Sequence, residues 1–258
     1  MPDLRITLIQ TPLQWHDRAF NLEMLAHKIE EITEPTDLII LPEMFTTGFS
    51  MQAPELAESM QGPSLHWLQN MAKATGAVIT GSLIVMDKDN YYNRLIWMQP
   101  DGRYTYYDKK HLFRIAGETE VYAPGTDKLI VELNGLKICP LICYDLRFPV
   151  WSRNVQNQYD VLLYVANWPA KRNIAWKTLL AARAIENVAY VVGVNRIGED
   201  DNGHQYSGDS MVINYKGDIL FNAADEAITQ TITLSQQELM DFRQSFPTHL
   251  DADAFRLE

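Results

Sequence analysis

Cysteine is nearly absent: Cys139 and Cys143 are the only two in 258 residues. The segment Lys137 to Cys143 reads as a strand, in which four residues span roughly 13 Å, whereas a disulfide needs Cα atoms within about 7 Å. The two thiols therefore do not bridge one another. A C-x3-C pair with no neighbouring His or third Cys is a poor zinc ligand set, so no metal is expected and each thiol is either a buried hydrophobe or reactive. Basic clusters are also missing. With 22 Lys and Arg against 33 Asp and Glu, a formal net charge of −11, the chain has nothing with which to neutralise a phosphate backbone, and nucleic acid is excluded as a partner.

No apolar run approaches the roughly 20 residues of a membrane span. The start, Met1 to Arg5, has no basic segment followed by an apolar stretch. A cytoplasmic protein without a membrane partner is the expectation. Repeats, low-complexity tracts and linkers are absent too, so residues 1–258 are read as one domain with a C-terminal tail from about residue 246. Hydrophobic residues make up 47% of the chain, enough for a substantial core.

What is present alternates. Arg5 to Ile9 reads as a strand, Leu22, Leu25, Ala26, Ile29 and Ile32 recur at helical spacing, and Asp37 to Leu41 reads as a buried strand ended by Pro42. A helix is predicted from Ser64 to Lys73, between Pro63 and Gly76, and a strand from Ala77 to Val85. Tyr91–Met98 and Arg103–Asp108 flank Asp101-Gly102, and Leu129–Leu133 and Leu136–Ile142 flank Asn134-Gly135, two hairpin signals. Beyond Cys143 the expected order is helix (about 149–157), strand (161–165), helix (about 173–187) and strand (190–195). Two strands then bracket Lys216-Gly217-Asp218, and Ser235 opens a last helix. β-α alternation gives parallel strands and the tight turns give antiparallel ones, so the class is α/β with mixed sheets.

Three polar residues end apolar strands, where α/β proteins open onto a surface crevice. Glu43 follows Leu38-Ile-Ile-Leu-Pro42, Lys110 lies at the end of the aromatic strand Arg103 to Asp108, and Cys143 follows Leu136 to Ile142. Taken singly, each has an ordinary explanation as a solvated charge or an inert core thiol. The turn after Cys143 favours it over Cys139, because a thiol at a helix start meets unpaired N–H groups expected to lower its pKa and able to receive an oxyanion.

Leu41-Pro-Glu-Met-Phe45, Lys110-His-Leu-Phe113 and Cys143-Tyr-Asp-Leu-Arg-Phe148, in that order, resemble the three signature blocks of the nitrilase (carbon–nitrogen hydrolase) superfamily. The likeness continues through Asn167-Trp-Pro169, Ala182 to Asn187, Gly193-Val-Asn195 and Tyr206 to Ser210, across nearly the whole chain. The resemblance implies a four-layer α-β-β-α sandwich that forms a homodimer, a small-molecule amide as substrate, and no cofactor. It implies Glu43 as general base, Lys110 as the cation beside the developing oxyanion, Cys143 as nucleophile, and the backbone N–H of Tyr144 as a second oxyanion donor. A second glutamate is expected at Glu118, with Glu120 as its close competitor.

Asn167 to Arg172, with Trp176 and Ala182 to Asn187, resembles the omega-amidase branch. Its members cleave the terminal amide of 2-oxo dicarboxylic acid monoamides such as 2-oxoglutaramate and 2-oxosuccinamate. The substrate's free carboxylate then calls for a cation, with Arg172 first among Arg172, Lys171, Arg114 and Arg147, and with Trp168 as a wall. Arg147 and Arg183 are otherwise expected to pair with Asp145 or Glu186. Deaminated-glutathione amidase, N-carbamoyl amide hydrolase and nitrilase are the neighbouring activities; a binding protein that has lost the chemistry is the alternative from another class.

Overall fold

The computed structural model describes residues 3–253 and 255. The last part of the expected tail, residue 254 and residues 256–258, lies outside them. The first half supplies strands β1 (Leu4–Gln10), β2 (Leu38–Ile40), β3 (Val78–Asp87), β4 (Asn90–Met98) and β5 (Tyr104–Asp108). The second half supplies β6 (Val131–Leu133), β7 (Leu136–Ile142), β8 (Val161–Val165), β9 (Tyr190–Val194), β10 (Ile197–Glu199), β11 (Gln205–Ser207), β12 (Met211–Ile213), β13 (Ile219–Asn222) and β14 (Ile228–Leu234).

Two six-stranded sheets result, in the orders β14-β1-β2-β3-β4-β5 and β13-β12-β9-β8-β7-β6. Each has two parallel pairings at its centre, β1-β2-β3 in one and β7-β8-β9 in the other, with antiparallel strands on either side. The two halves thus repeat one pairing pattern. Both hairpin turns form where expected: Gly102 has φ +85°, and Asn134 and Gly135 have φ +51° and +83°, the left-handed pair that a tight two-residue turn demands.

Strand alternation explains the layering. Leu38 and Ile40 of β2 join Leu4, Ile6 and Leu8 in a core shared with β7, β8 and β9, so the two sheets pack face to face. Ile39 points the other way, into a second core with Leu25 and Ile29 of the helix Arg18–Glu30 and Leu65 and Leu68 of the helix Pro63–Thr75. The helix Asn173–Asn187 covers the second sheet through Trp176, Leu180 and Ala184. This is the α-β-β-α sandwich.

The segment expected as one helix over 149–157 is instead two short pieces, Pro149–Ser152 and a 3-10 turn Val155–Asn157. Asn154 causes the break: its N–H donates to Asn187 Oδ1 at 2.8 Å and its side-chain amide donates to Tyr159 O at 2.9 Å, which the helical path would not allow. Ser235 does cap the helix Gln236–Ser245, accepting from Glu238 N. Among the described residues no helix is long and apolar enough to cross a membrane.

Candidate active site

The carboxyl ends of β2, β5, β7 and β8 converge on one point between the two sheets. After β2 the chain is pinned to β3, with Leu41 N donating to Thr80 O and Met44 N to Ser82 Oγ, both under 3.0 Å (2.8 and 2.9 Å). Glu43 is held inward by that turn and is fully buried. Its Oε1 accepts from Asn93 Nδ2 (2.8 Å) and Lys109 Nζ (3.0 Å), and its Oε2 accepts from the backbone N–H of Asn167 (2.7 Å), which lies beyond β8 in the other sheet.

The lysine in this cluster is Lys109, where Lys110 was expected. The ladder between β4 and β5 runs one residue past β5, Lys109 N donating to Asn93 O at 3.0 Å, and alternation then turns Lys109 inward with buried Tyr107. Gly125 seals the segment, since a Cβ there would fall 2.1 Å from Asp108 O. Lys110 points to the opposite side, its ammonium 5.5 Å from the centre of the Trp151 ring.

Lys109 Nζ also reaches both oxygens of Glu118 at 2.9 Å, and Glu118 Oε2 accepts from Phe113 N. Glu118 is fully buried and Glu120 is exposed, which separates the two candidates. Asn93, which sequence reasoning missed, bridges the carboxylates by donating to Glu43 and, at 3.4 Å, to Glu118. No sequence signal marked it, since β4 also carries Asn90 and Arg94 and a polar residue there does not stand out.

Cys143 follows β7 with φ +42°, a left-handed conformation that L-residues adopt only when the surroundings enforce it. The enforcement comes from Asp145. Its carboxylate accepts from Ile142 N (3.1 Å), His111 N (2.9 Å), His111 Nδ1 (2.8 Å) and the Tyr107 hydroxyl (2.8 Å), tying the cysteine turn to the lysine segment. Asp145 is thus committed there, and Arg147 does not pair with it. Arg183 does pair, with Glu186 at 2.9 Å.

The expectation of a lowered Cys143 pKa is overturned. Only a five-residue 3-10 turn, Cys143–Arg147, follows the cysteine, too short to present a helix dipole, and burial together with the charge of Glu43 raises the thiol well above its ordinary value. Cys139, sealed mid-strand, is pushed up to about 12 by burial. Burial opposes the Lys109 ammonium, but Glu118 and Glu43 outweigh it and its pKa is raised, so this lysine stays cationic. Two carboxylates and one ammonium leave the cluster at −1. A thiolate added to it would be costly, but moving the thiol proton to Glu43 leaves the total charge unchanged.

Lys109, Cys143, Tyr144, Asn167 and Trp168 open onto a cavity of about 530 Å³. Arg147, Lys171 and Arg172 line its wall, whereas Arg114 does not. The Arg172 guanidinium lies 4.9 Å from the centre of the Phe113 ring and that of Arg147 lies 5.1 Å from the Trp168 ring. Among the described residues neither makes an ion pair. Trp168 is buried, donating through Nε1 to Arg172 O at 2.9 Å and tilting against Trp176, so it both packs and walls the cavity. No group of three or more His, Cys, Asp or Glu suited to a metal ion occurs among the described residues.

The site is thus a buried Glu-Lys-Glu cluster beside a strained cysteine, at the joined strand ends of two mixed sheets. The chain belongs to the carbon–nitrogen hydrolase family, whose sequence profile covers residues 5–244. It is 49% identical, over 100% of both chains, to the omega-amidase YafV of Escherichia coli strain K12. It is 31% identical to the 2-oxoglutaramate amidase of Bacillus subtilis strain 168, over 95% of this chain and 96% of that one. The crystal structure of XC1258 from Xanthomonas campestris, a CN-hydrolase superfamily protein with an arsenic adduct in its active site, is 45% identical over 100% of each chain and superimposes with a TM-score of 0.98.

Proposed function

We propose that this protein is an omega-amidase that hydrolyses the terminal amide of 2-oxo dicarboxylic acid monoamides, 2-oxoglutaramate foremost, to the 2-oxo acid and ammonia. The observation that carries the reading is the pairing of a buried Glu43–Lys109–Glu118 cluster and Cys143 with a cavity whose wall holds two guanidiniums that have no carboxylate partner among the described residues. The first supplies amide chemistry and the second a receptor for an anionic substrate tail. The two amidase relatives act in support.

In the proposed reaction Glu43 takes the proton of Cys143 as sulfur adds to the amide carbon. The carbonyl electron pair moves onto oxygen, which Lys109 Nζ and the Tyr144 N–H receive; Tyr144 is the second residue of its turn, where N–H groups have no partner inside the turn. Glu43 passes the proton to nitrogen, the carbon–nitrogen bond breaks and ammonia leaves. Water, deprotonated by Glu43, then adds to the thioester carbon, the carbon–sulfur bond breaks, the 2-oxo acid leaves and Glu43 returns the proton to the Cys143 sulfur. Glu118 holds Lys109 in place throughout.

Ammonia release from 2-oxoglutaramate, an N-carbamoyl amino acid and a simple nitrile, together with cysteinylglycine release from deaminated glutathione, tests the assignment. The 2-oxo acid amide should give the largest kcat/KM by at least about tenfold, and a larger value for any other member would sink the assignment. Replacing Arg172 or Arg147 by Met should raise KM for 2-oxoglutaramate roughly ten- to hundredfold with kcat held within a few fold, as expected when a hydrogen bond to a charged group is lost. Unchanged KM in both variants would remove them from the substrate site.

A cytoplasmic homodimer is part of the same reading. Ile174 and Ile185, 85% and 55% exposed, stand eleven residues apart on one face of the helix Asn173–Asn187, an apolar stripe suited to a copy of itself. Sedimentation equilibrium should give twice the 29.6 kDa chain mass, and Ile174→Asp with Ile185→Asp should halve it. A wild-type monomer contradicts this.

A further inference from the structure

We propose that the side-chain oxygen of Asn167 is the acceptor for an N–H of the scissile amide, and so selects a primary amide over groups of the same shape that lack the proton. The proposal rests on the omega-amidase reading. Its starting point is a bonding deficit. Among the described residues, the buried side-chain polar atoms with no partner belong to Arg18, Asn93, Asn167, Arg183 and Arg196, and of these residues only Asn167 lines the cavity. A buried acceptor left unpaired in a folded protein calls for an explanation, and on a residue that lines a substrate cavity the missing donor comes with the substrate, whose entry must move aside the neighbours that leave this oxygen under 1 Å² of exposure.

The orientation of that oxygen is fixed. Asn167 Nδ2 donates to Glu43 O at 2.6 Å, and turning the amide over would set Oδ1 against the same carbonyl oxygen, acceptor to acceptor. The backbone is clamped as well. Asn167 N donates to Glu43 Oε2 at 2.7 Å, and on the next residue Trp168 N donates to Asn195 Oδ1 (2.8 Å) while Asn195 Nδ2 donates back to Trp168 O (3.1 Å). Asn195 is itself anchored to Gly208 O at 2.8 Å. Asn167 is 4% exposed, so bulk water does not compete for the free oxygen.

The chemistry gives this acceptor a use. As sulfur adds to the carbonyl, the amide nitrogen turns pyramidal and gains a lone pair, which must face the proton on Glu43. Asn167 binds Glu43 through two donors, so an N–H held by its Oδ1 places that nitrogen beside the carboxyl group with its lone pair free. No proton moves to Asn167.

The test uses an isostere. In Cys143→Ala protein, which cannot turn over, calorimetry compares 2-oxoglutaramate with 2,5-dioxohexanoate, where a methyl group replaces –NH2. The amide should bind about tenfold tighter, and adding Asn167→Ala should bring the two affinities within about twofold. Equal binding in Cys143→Ala alone, or a preference that survives Asn167→Ala, overturns the proposal. A merely structural role for Asn167 would weaken both ligands alike and leave their ratio unchanged. Should Asn167→Ala not fold, the single-variant comparison decides. If neither ligand binds while the wild type releases no ammonia from 2-oxoglutaramate, the omega-amidase reading falls first and the Asn167 proposal with it.

Discussion

Cys143→Ala should abolish amide hydrolysis, lowering kcat by several orders of magnitude, while Cys139→Ala keeps kcat within about threefold. The two thiols differ in place and in access, Cys139 being 0% exposed and Cys143 9%. Cys139 is sealed in the inter-sheet core at mid-strand, and its loss costs packing of about 1 kcal/mol. Cys143 stands at the strand end, in the cavity wall, under the charge of Glu43. Its raised pKa means that the resting enzyme holds a thiol, so nucleophile and base act as a unit. Glu43→Gln, which keeps the hydrogen bond from Lys109 but cannot take a proton, should therefore be nearly as inactive as Cys143→Ala. Appreciable turnover in Glu43→Gln would show that the thiolate forms without it.

Lys109→Met should damage both stability and rate. Removing the ammonium leaves Glu43 and Glu118 buried together with no cation between them, and breaking a buried pair in this way costs about 3–5 kcal/mol. Any folded remainder should show kcat lower by at least about 100-fold, since one oxyanion donor is lost. The stability loss should also depend on pH. Burial already pushes the Glu118 carboxyl upward and Lys109 opposes it, so without Lys109 the folded state holds its protons to higher pH than the unfolded chain does. The variant is then most stable in acid and weakens as pH rises through and above the ordinary glutamate value of about 4.3. Urea unfolding at several pH values measures this. Lys110→Met, by contrast, removes only a half-buried ammonium over Trp151 and should stay within about 1 kcal/mol of wild type with kcat nearly intact. Equal damage from the two substitutions would contradict the placement of Lys109.

That pair of adjacent lysines shows what a sequence carries and what it withholds. The end of β5 was legible, and the motif around it pointed to a lysine. Which of the two faces the site depends on strand parity, and Tyr107, inward with Lys109 two residues on, holds that information only once the strand is known to continue past Asp108. Glu118 and Glu120 posed the same problem inside one helical turn, where a shift of two residues moves a side chain from the buried face to water. Hairpins were the easiest elements to read, because Asp101-Gly102 and Asn134-Gly135 encode their backbone angles locally. The break at Asn154 was not legible, since its partners, Tyr159 and Asn187, include one 33 residues away. Asn93 and Asn167 escaped for a related reason: their importance lies in contacts between separate strands and, for Asn167, between the two sheets.

The thioester is the most direct test of the chemistry. Protein mixed with 2-oxoglutaramate and quenched in acid within a single turnover, then digested and examined by mass spectrometry, should carry a 2-oxoglutaryl group, the substrate less ammonia, on the peptide containing Cys143 and on its sulfur. Turnover with no such adduct at any time, or an adduct on Cys139, would contradict the mechanism.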